Sequence, residues 1–229
     1  MMNEKQLAAE YSINYIEDGM LVGLGTGSTV RYMVVKLGER IKQGLKITAV
    51  STSSATTELA KSLKINVVDF NSVENIDITI DGADEVDSEL NGIKGGGGAL
   101  LYEKIVASHS SKNVWVVDST KIVNKLGKFP LPVEVMPFGS KKLFEKFQNS
   151  GFRPKFRENN GKRFATDGNH YIIDLHLNEI ENPSEFNMQL HLTPGVVETG
   201  LFLDVADTVI IGRGNDCEVL NRQKKRPTN

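Results

Sequence analysis

Met20-Leu21-Val22-Gly23-Leu24-Gly25-Thr26-Gly27-Ser28-Thr29 is a short apolar run, then glycines at alternate positions, then two hydroxyl residues. Behind it, Val30, Met33, Val34, Leu37 and Ile41 repeat at helical spacing. The stretch reads as a buried strand entering a tight turn that opens an amphipathic helix. That is half of a parallel βαβ unit, and it sets the class of the fold. Glycines let the chain turn sharply and leave backbone N–H groups uncovered, and a helix N-terminus favours an anion, phosphate above all. The loop is not a Walker A sequence, because no lysine precedes the Ser28-Thr29 pair in the required spacing. It is also a poor dinucleotide fingerprint: Ser28 stands where Gly or Ala is needed, and the next strand ends at Val50-Ser51 with no acid for a ribose.

Working outward, residues 4–18 carry a helical stripe through Leu7, Ala8, Tyr11 and Tyr15 that Gly19 stops. Strands are expected over 46–50, 66–70, 75–80 and 114–117, and helices over 51–64 and 99–108, the first of these opening on hydroxyl residues suited to capping. Pro130 and Pro132 mark a junction. Beyond it the pattern reads strand 133–136, helix 140–149, strand 152–157, strand 170–175, helix 183–191 and strand 196–202, the β-α-β-β-α-β order of a split unit. A strand over 207–211 then returns to the first sheet. The expected fold is α/β: a Rossmann-like parallel-sheet domain of residues 1–127 plus 204–229, with a smaller α+β ferredoxin-like domain, 128–203, inserted near its end.

A chain of 229 residues with 39% hydrophobic and 24% charged side chains is that of an ordinary globular protein. The net charge of −2 provides no field for nucleic acid or an anionic membrane. The basic run from Arg222 to Arg226 reads as a solvated tail. One cysteine, Cys217, excludes an internal disulfide framework and suits a reducing compartment. Met1 to Glu10 lacks the basic-then-apolar pattern of a signal peptide, and no apolar run has the length of a membrane span, so a cytoplasmic protein is expected.

The chemistry gathers at Asp81-Gly82-Ala83-Asp84-Glu85 and at Lys94-Gly95-Gly96-Gly97-Gly98-Ala99, followed by Glu103. Asp81 and Asp84 follow an apolar strand, and ligands of open α/β sheets sit at the carboxyl ends of strands. The plain alternative is a turn that uses Asp and Gly because turns do, and another is a metal site. His109, His170, His176 and His191 show no ligand spacing with these acids. Four consecutive glycines cost backbone entropy at every position. They let a ligand lie against backbone N–H groups that can meet a developing oxyanion. Taken singly, Glu103 also fits a surface helix residue, and Lys121, in Asp118-Ser119-Thr120-Lys121, fits solvent exposure as well as a phosphate contact.

These motifs together resemble ribose-5-phosphate isomerase, type A: Gly23 to Thr29, Asp81 to Glu85, Lys94 to Gly97, Glu103, and Gly127-Lys128-Phe129-Pro130-Leu131-Pro132-Val133-Glu134-Val135. Pro194-Gly195-Val196-Val197 and Gly200-Leu201-Phe202 extend the likeness, which runs to about Asn221. The resemblance implies an aldose–ketose isomerase without cofactor or metal, working on a sugar phosphate as a homodimer or dimer of dimers. It implies Glu103 as proton-transfer base, with Asp81, Asp84 and Lys94 around the reacting end of the sugar. It further implies Thr26, Gly27, Ser28, Thr29, Gly82, Ala83, Gly95, Gly96, Gly97 and Lys121 as substrate-binding positions, and Lys5 as a basic residue near the phosphate. Two readings of other kinds compete. A sugar-phosphate sensor would need a DNA-binding segment, and only one helix precedes the first strand. A related deaminase or acyl-CoA transferase would take a different substrate.

Overall fold

The computed structural model describes residues 3–223. Asn3 caps the first helix, α1 (Glu4–Tyr11), by accepting from the Gln6 N–H. The helical stripe expected to reach residue 18 ends early: Ser12 turns its hydroxyl back to the Ala9 carbonyl and the chain tightens into a 3₁₀ turn over Ser12–Tyr15. β1 (Leu21–Leu24) leads through the glycine turn into α2 (Ser28–Lys42), then β2 (Thr48–Ser51) and α3 (Ser54–Ser62). The strand expected over 66–70 is a single bridge between Val67 and Ala49, followed by a 3₁₀ turn at Phe70–Ser72. β3 (Ile78–Gly82), two short strands β4 (Glu85–Val86) and β5 (Gly92–Ile93), α4 (Leu100–Ser108) and β6 (Asn113–Asp118) complete the first part of the chain.

After the prolines come β7 (Leu131–Val135), α5 (Ser140–Asn149), β8 (Pro154–Phe156), a small hairpin of β9 (Glu158–Asn159) and β10 (Lys162–Arg163), β11 (Tyr171–Leu175), α6 (Pro183–His191) and β12 (Val196–Thr199). The strand expected over 196–202 divides at Gly200, where a Cβ would stand 2.4 Å from the Lys94 carbonyl. Its far end, β13 (Leu201–Phe202), pairs with β5 instead. β14 (Thr208–Arg213) and β15 (Asp216–Asn221) close the chain.

The main sheet has the order β15-β14-β6-β3-β1-β2, parallel except for β15 at the edge. The central strands β3 and β6 are buried almost throughout, as strands covered on both faces must be, while the edge strand β15 is exposed or half-buried. Along β6, Val114 and Val116 enter the core formed with α1 and α2, while Trp115 and Val117 enter a second core with Leu100, Val209, Ile211 and Phe202. Each such side chain, fully buried, contributes about 1.5–3 kcal/mol. The smaller sheet, β12-β7-β11-β8, is antiparallel throughout, with α5 and α6 supplying Leu143, Phe147 and Leu190 to its core.

The basic run divides. The Arg222 guanidinium is tied to the Ala206 and Leu90 carbonyls and to Asp204, so this residue belongs to the fold. Residues 224–226 lie outside the described residues.

Candidate active site

β2 lies on one side of β1 and β3 on the other, so the chain reverses its direction of winding between β1 and β3. Crevices form at the carboxyl ends of strands at such a point. A cavity of about 290 Å³ opens there, and its wall includes Lys5, Thr26 to Thr29, Gly82 to Asp84, Lys94 to Gly97, Glu103 and Lys121. β1 delivers Thr26 to Thr29, β3 delivers Gly82 to Asp84, and β6 delivers Lys121 through a 3₁₀ turn capped by Asp118. Lys5 enters from α1. Its neighbour Glu4 accepts from the Gly214 N–H and from the hydroxyl and N–H of Ser119, which hold the Glu4 carboxyl down at about 2.

At the closed end of the cavity the Lys94 ammonium lies 2.9 Å from Asp81 Oδ2 and 3.2 Å from Glu103 Oε2, and it donates to the Gly82 carbonyl at 2.6 Å. All three charged side chains are 3–4% exposed. Burial alone pulls the Lys94 ammonium down, but the Asp81 and Glu103 carboxylates outweigh it and hold the group charged. Glu103 Oε2 lies within ion-pair distance of the lysine but short of a well-formed hydrogen bond. Burial first, and the Asp81 charge next, push the Glu103 carboxyl up to about 8, with Lys94 acting against them. A carboxylate so held is a far stronger base than a solvated one.

Asp81 itself is turned inward. Its Oδ1 accepts from the N–H groups of Thr26 (3.0 Å) and Gly82 (2.7 Å), and its Oδ2 takes Lys94. Gly25 lies against it so closely that a Cβ there would stand 2.1 Å from Oδ1. Asp84 faces the cavity and accepts from Gly96 N–H at 2.8 Å. The Thr26 hydroxyl is engaged with Thr52 and Ser53 behind the wall. Glu85, the third acid of the motif, points away from the cavity. Its two oxygens take the Gly127 and Phe129 N–H groups and fix the crossing into the smaller unit.

Two residues of the glycine run have ordinary conformational reasons: Gly95 and Gly98 have φ of +102° and +81°. A Cβ on Gly96 would stand 2.6 Å from Asp84. Gly97 is exposed on the cavity wall, and no protein acceptor among the described residues meets its N–H. Among the described residues, no three His, Cys, Asp or Glu side chains are grouped to hold a metal ion. No helix of the described residues is long and apolar enough to cross a membrane.

Sequence reasoning passed over Arg157, whose Nη1 donates to the Gly95 carbonyl at 2.6 Å and the Gly96 carbonyl at 3.1 Å. At the end of the strand expected over 152–157 it resembles any surface arginine, and only the folded geometry, which sets it between β8 and β9, brings it to the loop.

The sequence model of the family described as ribose 5-phosphate isomerase A (phosphoriboisomerase A) matches residues 48–216. A ribose-5-phosphate isomerase A of Levilactobacillus brevis is 52% identical over 219 residues, covering 95% of this chain and 96% of its own. A D-ribose-5-phosphate isomerase solved in complex with phospho-erythronic acid is 37% identical, with a TM-score of 0.92 over 96% of this chain and 100% of its own. The ribose 5-phosphate isomerase of Plasmodium falciparum superposes equally well, at 36% identity and a TM-score of 0.92, over 96% of this chain and 98% of its own. With the family match spanning most of the sequence and the cavity walled by the residues described above, this chain belongs to the ribose 5-phosphate isomerase A family.

Proposed function

We propose that this chain interconverts ribose 5-phosphate and ribulose 5-phosphate through an enediolate, with Glu103 as the proton-transfer base. The observation that carries the reading is the buried Asp81–Lys94–Glu103 group at the closed end of a cavity whose mouth holds two lysines and the start of α2. The phosphate is read at Lys5, Lys121 and the N-terminus of α2, where Gly27 leaves the first turn without a side-chain cap. That places the reacting carbons toward Glu103.

The sugar must open before it can isomerise. Asp84, facing the cavity, is read as the group that takes the anomeric hydroxyl proton as the bond from carbon 1 to the ring oxygen breaks, and then gives that proton to the ring oxygen, which becomes a free hydroxyl. Asp81 is read as the residue that holds Lys94. Glu103 then removes the proton from carbon 2 and returns it to carbon 1 on the same face. One carboxylate can serve both positions because the carbons are adjacent. The proton of the carbon 2 hydroxyl passes to the carbon 1 oxygen, so that the sum of steps moves two hydrogens and no net charge. Negative charge develops on those oxygens, where the Lys94 ammonium and the Gly97 N–H are available to meet it.

A coupled assay for ketopentose formation from ribose 5-phosphate tests the activity, and no turnover would overturn the reading. The Glu103 assignment has its own signature. Protonated Glu103 is no base, so kcat/KM is expected to fall as pH drops through a value near 8 rather than near the ordinary 4.5 of a glutamate. Because the Asp81 charge helps raise Glu103, Asp81→Asn is expected to displace this limb toward lower pH. A limb unmoved in that variant would assign it to another group. Lys121→Ala is expected to raise KM for ribose 5-phosphate roughly tenfold, the loss of one charge-assisted contact, with kcat little changed. Unphosphorylated ribose should lose nothing, and an equal loss with both sugars would argue against phosphate contact at Lys121.

We also read the protein as cytoplasmic, from its single cysteine, and as a homodimer or dimer of dimers. The exposed apolar side chains of Phe138, Leu192 and Met188 on the smaller unit support association. Light scattering that returned only monomer at micromolar concentration would remove that part.

A further inference from the structure

We propose that Arg157, carried by the smaller unit, is a positioning residue that sets the peptide orientation of the glycine loop in the larger one, and thereby aims the Gly97 N–H into the cavity. The inference rests on the reading of that loop as the enediolate cradle.

In a trans peptide the carbonyl of one residue and the N–H of the next point in opposite directions. Arg157 Nη1 fixes the carbonyls of Gly95 and Gly96 from one side, at 2.6 and 3.1 Å. The N–H groups of Gly96 and Gly97 must then face the other side. The first of these is seen to do so, since Gly96 N–H reaches Asp84 Oδ2 at 2.8 Å. The second has no protein acceptor among the described residues and belongs to a residue on the cavity wall. The Gly95 carbonyl also accepts from the Gly98 N–H at 2.9 Å, a hold inside the loop, whereas among the described residues the Gly96 carbonyl has Arg157 alone. Glycine peptides rotate at little steric cost, so the Gly96–Gly97 peptide is the one that the arginine orients. The guanidinium also polarises both peptide groups, which strengthens the N–H donors on the far side.

The arginine is itself held. Asp174 accepts from its Nε at 3.0 Å and its Nη2 at 2.5 Å, a two-point fork that fixes the guanidinium plane, and the pair is about 15–17% exposed. The Arg157 backbone N–H is bonded to the Ile172 carbonyl of β11 at 2.9 Å. A few residues on, the Phe164 ring lies so close to Gly98 that a Cβ there would meet it at 2.5 Å. The stretch from Arg157 to Phe164 therefore grips the loop at both ends from the smaller unit, which gives that unit a part in the chemistry although it supplies no residue to the wall of the cavity.

The test uses Arg157→Met, Arg157→Lys and Arg157→Ala in the full chain, with Asp174→Asn as a milder variant that keeps the shape of the site. Lysine keeps the charge but cannot hold Asp174 and two carbonyls in one plane. Both the Met and Lys variants are expected to lose roughly 10- to 100-fold in kcat, less than the removal of a whole oxyanion donor, with KM for ribose 5-phosphate within about threefold of wild type. Asp174→Asn should move the same way by a smaller factor. Millimolar guanidinium should restore part of kcat in Arg157→Ala and none in Arg157→Met, whose side chain fills the space. Unchanged kcat in Arg157→Met overturns the proposal, as does a loss borne by KM alone or one that guanidinium fails to recover in Arg157→Ala. Glu103→Gln, assayed beside them, reports separately on the base: an inactive Glu103→Gln with a fully active Arg157→Met rejects the arginine's role and leaves the base in place.

Discussion

Replacing Glu103 with glutamine is expected to lower kcat by about 10²–10⁴-fold, the range of a positioned general base, while the enzyme still binds ribose 5-phosphate. The amide matches the carboxylate in shape and cannot accept the carbon-bound proton. Stability should follow the opposite course at alkaline pH. The Glu103 carboxyl titrates near 8 in the fold, above its ordinary 4.5, so its contribution to stability is full below about 4.5 and lost as pH rises through about 8. A neutral amide has no such loss, and the variant is expected to be at least as stable as wild type toward urea above that value. Turnover measured by ketopentose release, affinity measured by calorimetry with ribose 5-phosphate or phospho-erythronic acid, and urea midpoints together decide the matter. Near-normal kcat removes Glu103 from its role. Lost binding alongside lost turnover would mean that the side chain holds the sugar rather than deprotonates it.

Much of this site was legible before folding because its parts lie in short runs next to strong local signals. The glycine turn after β1 announces a strand-to-helix reversal, and the apolar β3 announces that Asp81 stands at a carboxyl end. Parallel pairing of β1, β3 and β6 then brings three loops to one edge. What the sequence did not disclose depends on direction and distance. Whether Asp81 or Asp84 faces the cavity turns on which oxygen meets which backbone N–H, and two such bonds turn Asp81 inward. Glu85 reads as one more acid of the cluster, yet it serves the Gly127–Phe129 crossing, over 40 residues away. The hairpin of β9 and β10, made of Glu158, Asn159, Lys162 and Arg163, carries no apolar residue, so periodicity does not mark it. β15 does alternate Cys217 and Val219 among polar neighbours, too short a pattern to stand out beside the basic run that follows.

Lys94→Met is expected to abolish activity and also to destabilise the fold by about 3–5 kcal/mol, the cost of removing one partner from a buried ion pair. The lysine stands between two carboxylates that are themselves 3–4% exposed, with its ammonium near the Phe202 and Trp115 rings, so both acids depend on it for their counter-charge. Methionine fills the volume of the stem and provides neither charge nor donor, leaving Asp81 and the Gly82 carbonyl without their ammonium. The sign of the pH dependence follows from Glu103. Lys94 works to lower the Glu103 value, so its loss moves that value further up and extends the range over which ionising Glu103 costs stability. The deficit of Lys94→Met relative to wild type is therefore expected to widen between about pH 7 and pH 9. A deficit that stays constant or shrinks over that interval would mean that Lys94 and Glu103 do not feel one another. Adding Asp81→Asn to the variant removes one uncompensated charge and should return part of the lost stability without any activity. Urea midpoints that recover while turnover stays absent would show that the lysine has two separable tasks: it neutralises the buried acids at all times, and it meets the enediolate oxygens only when substrate is present.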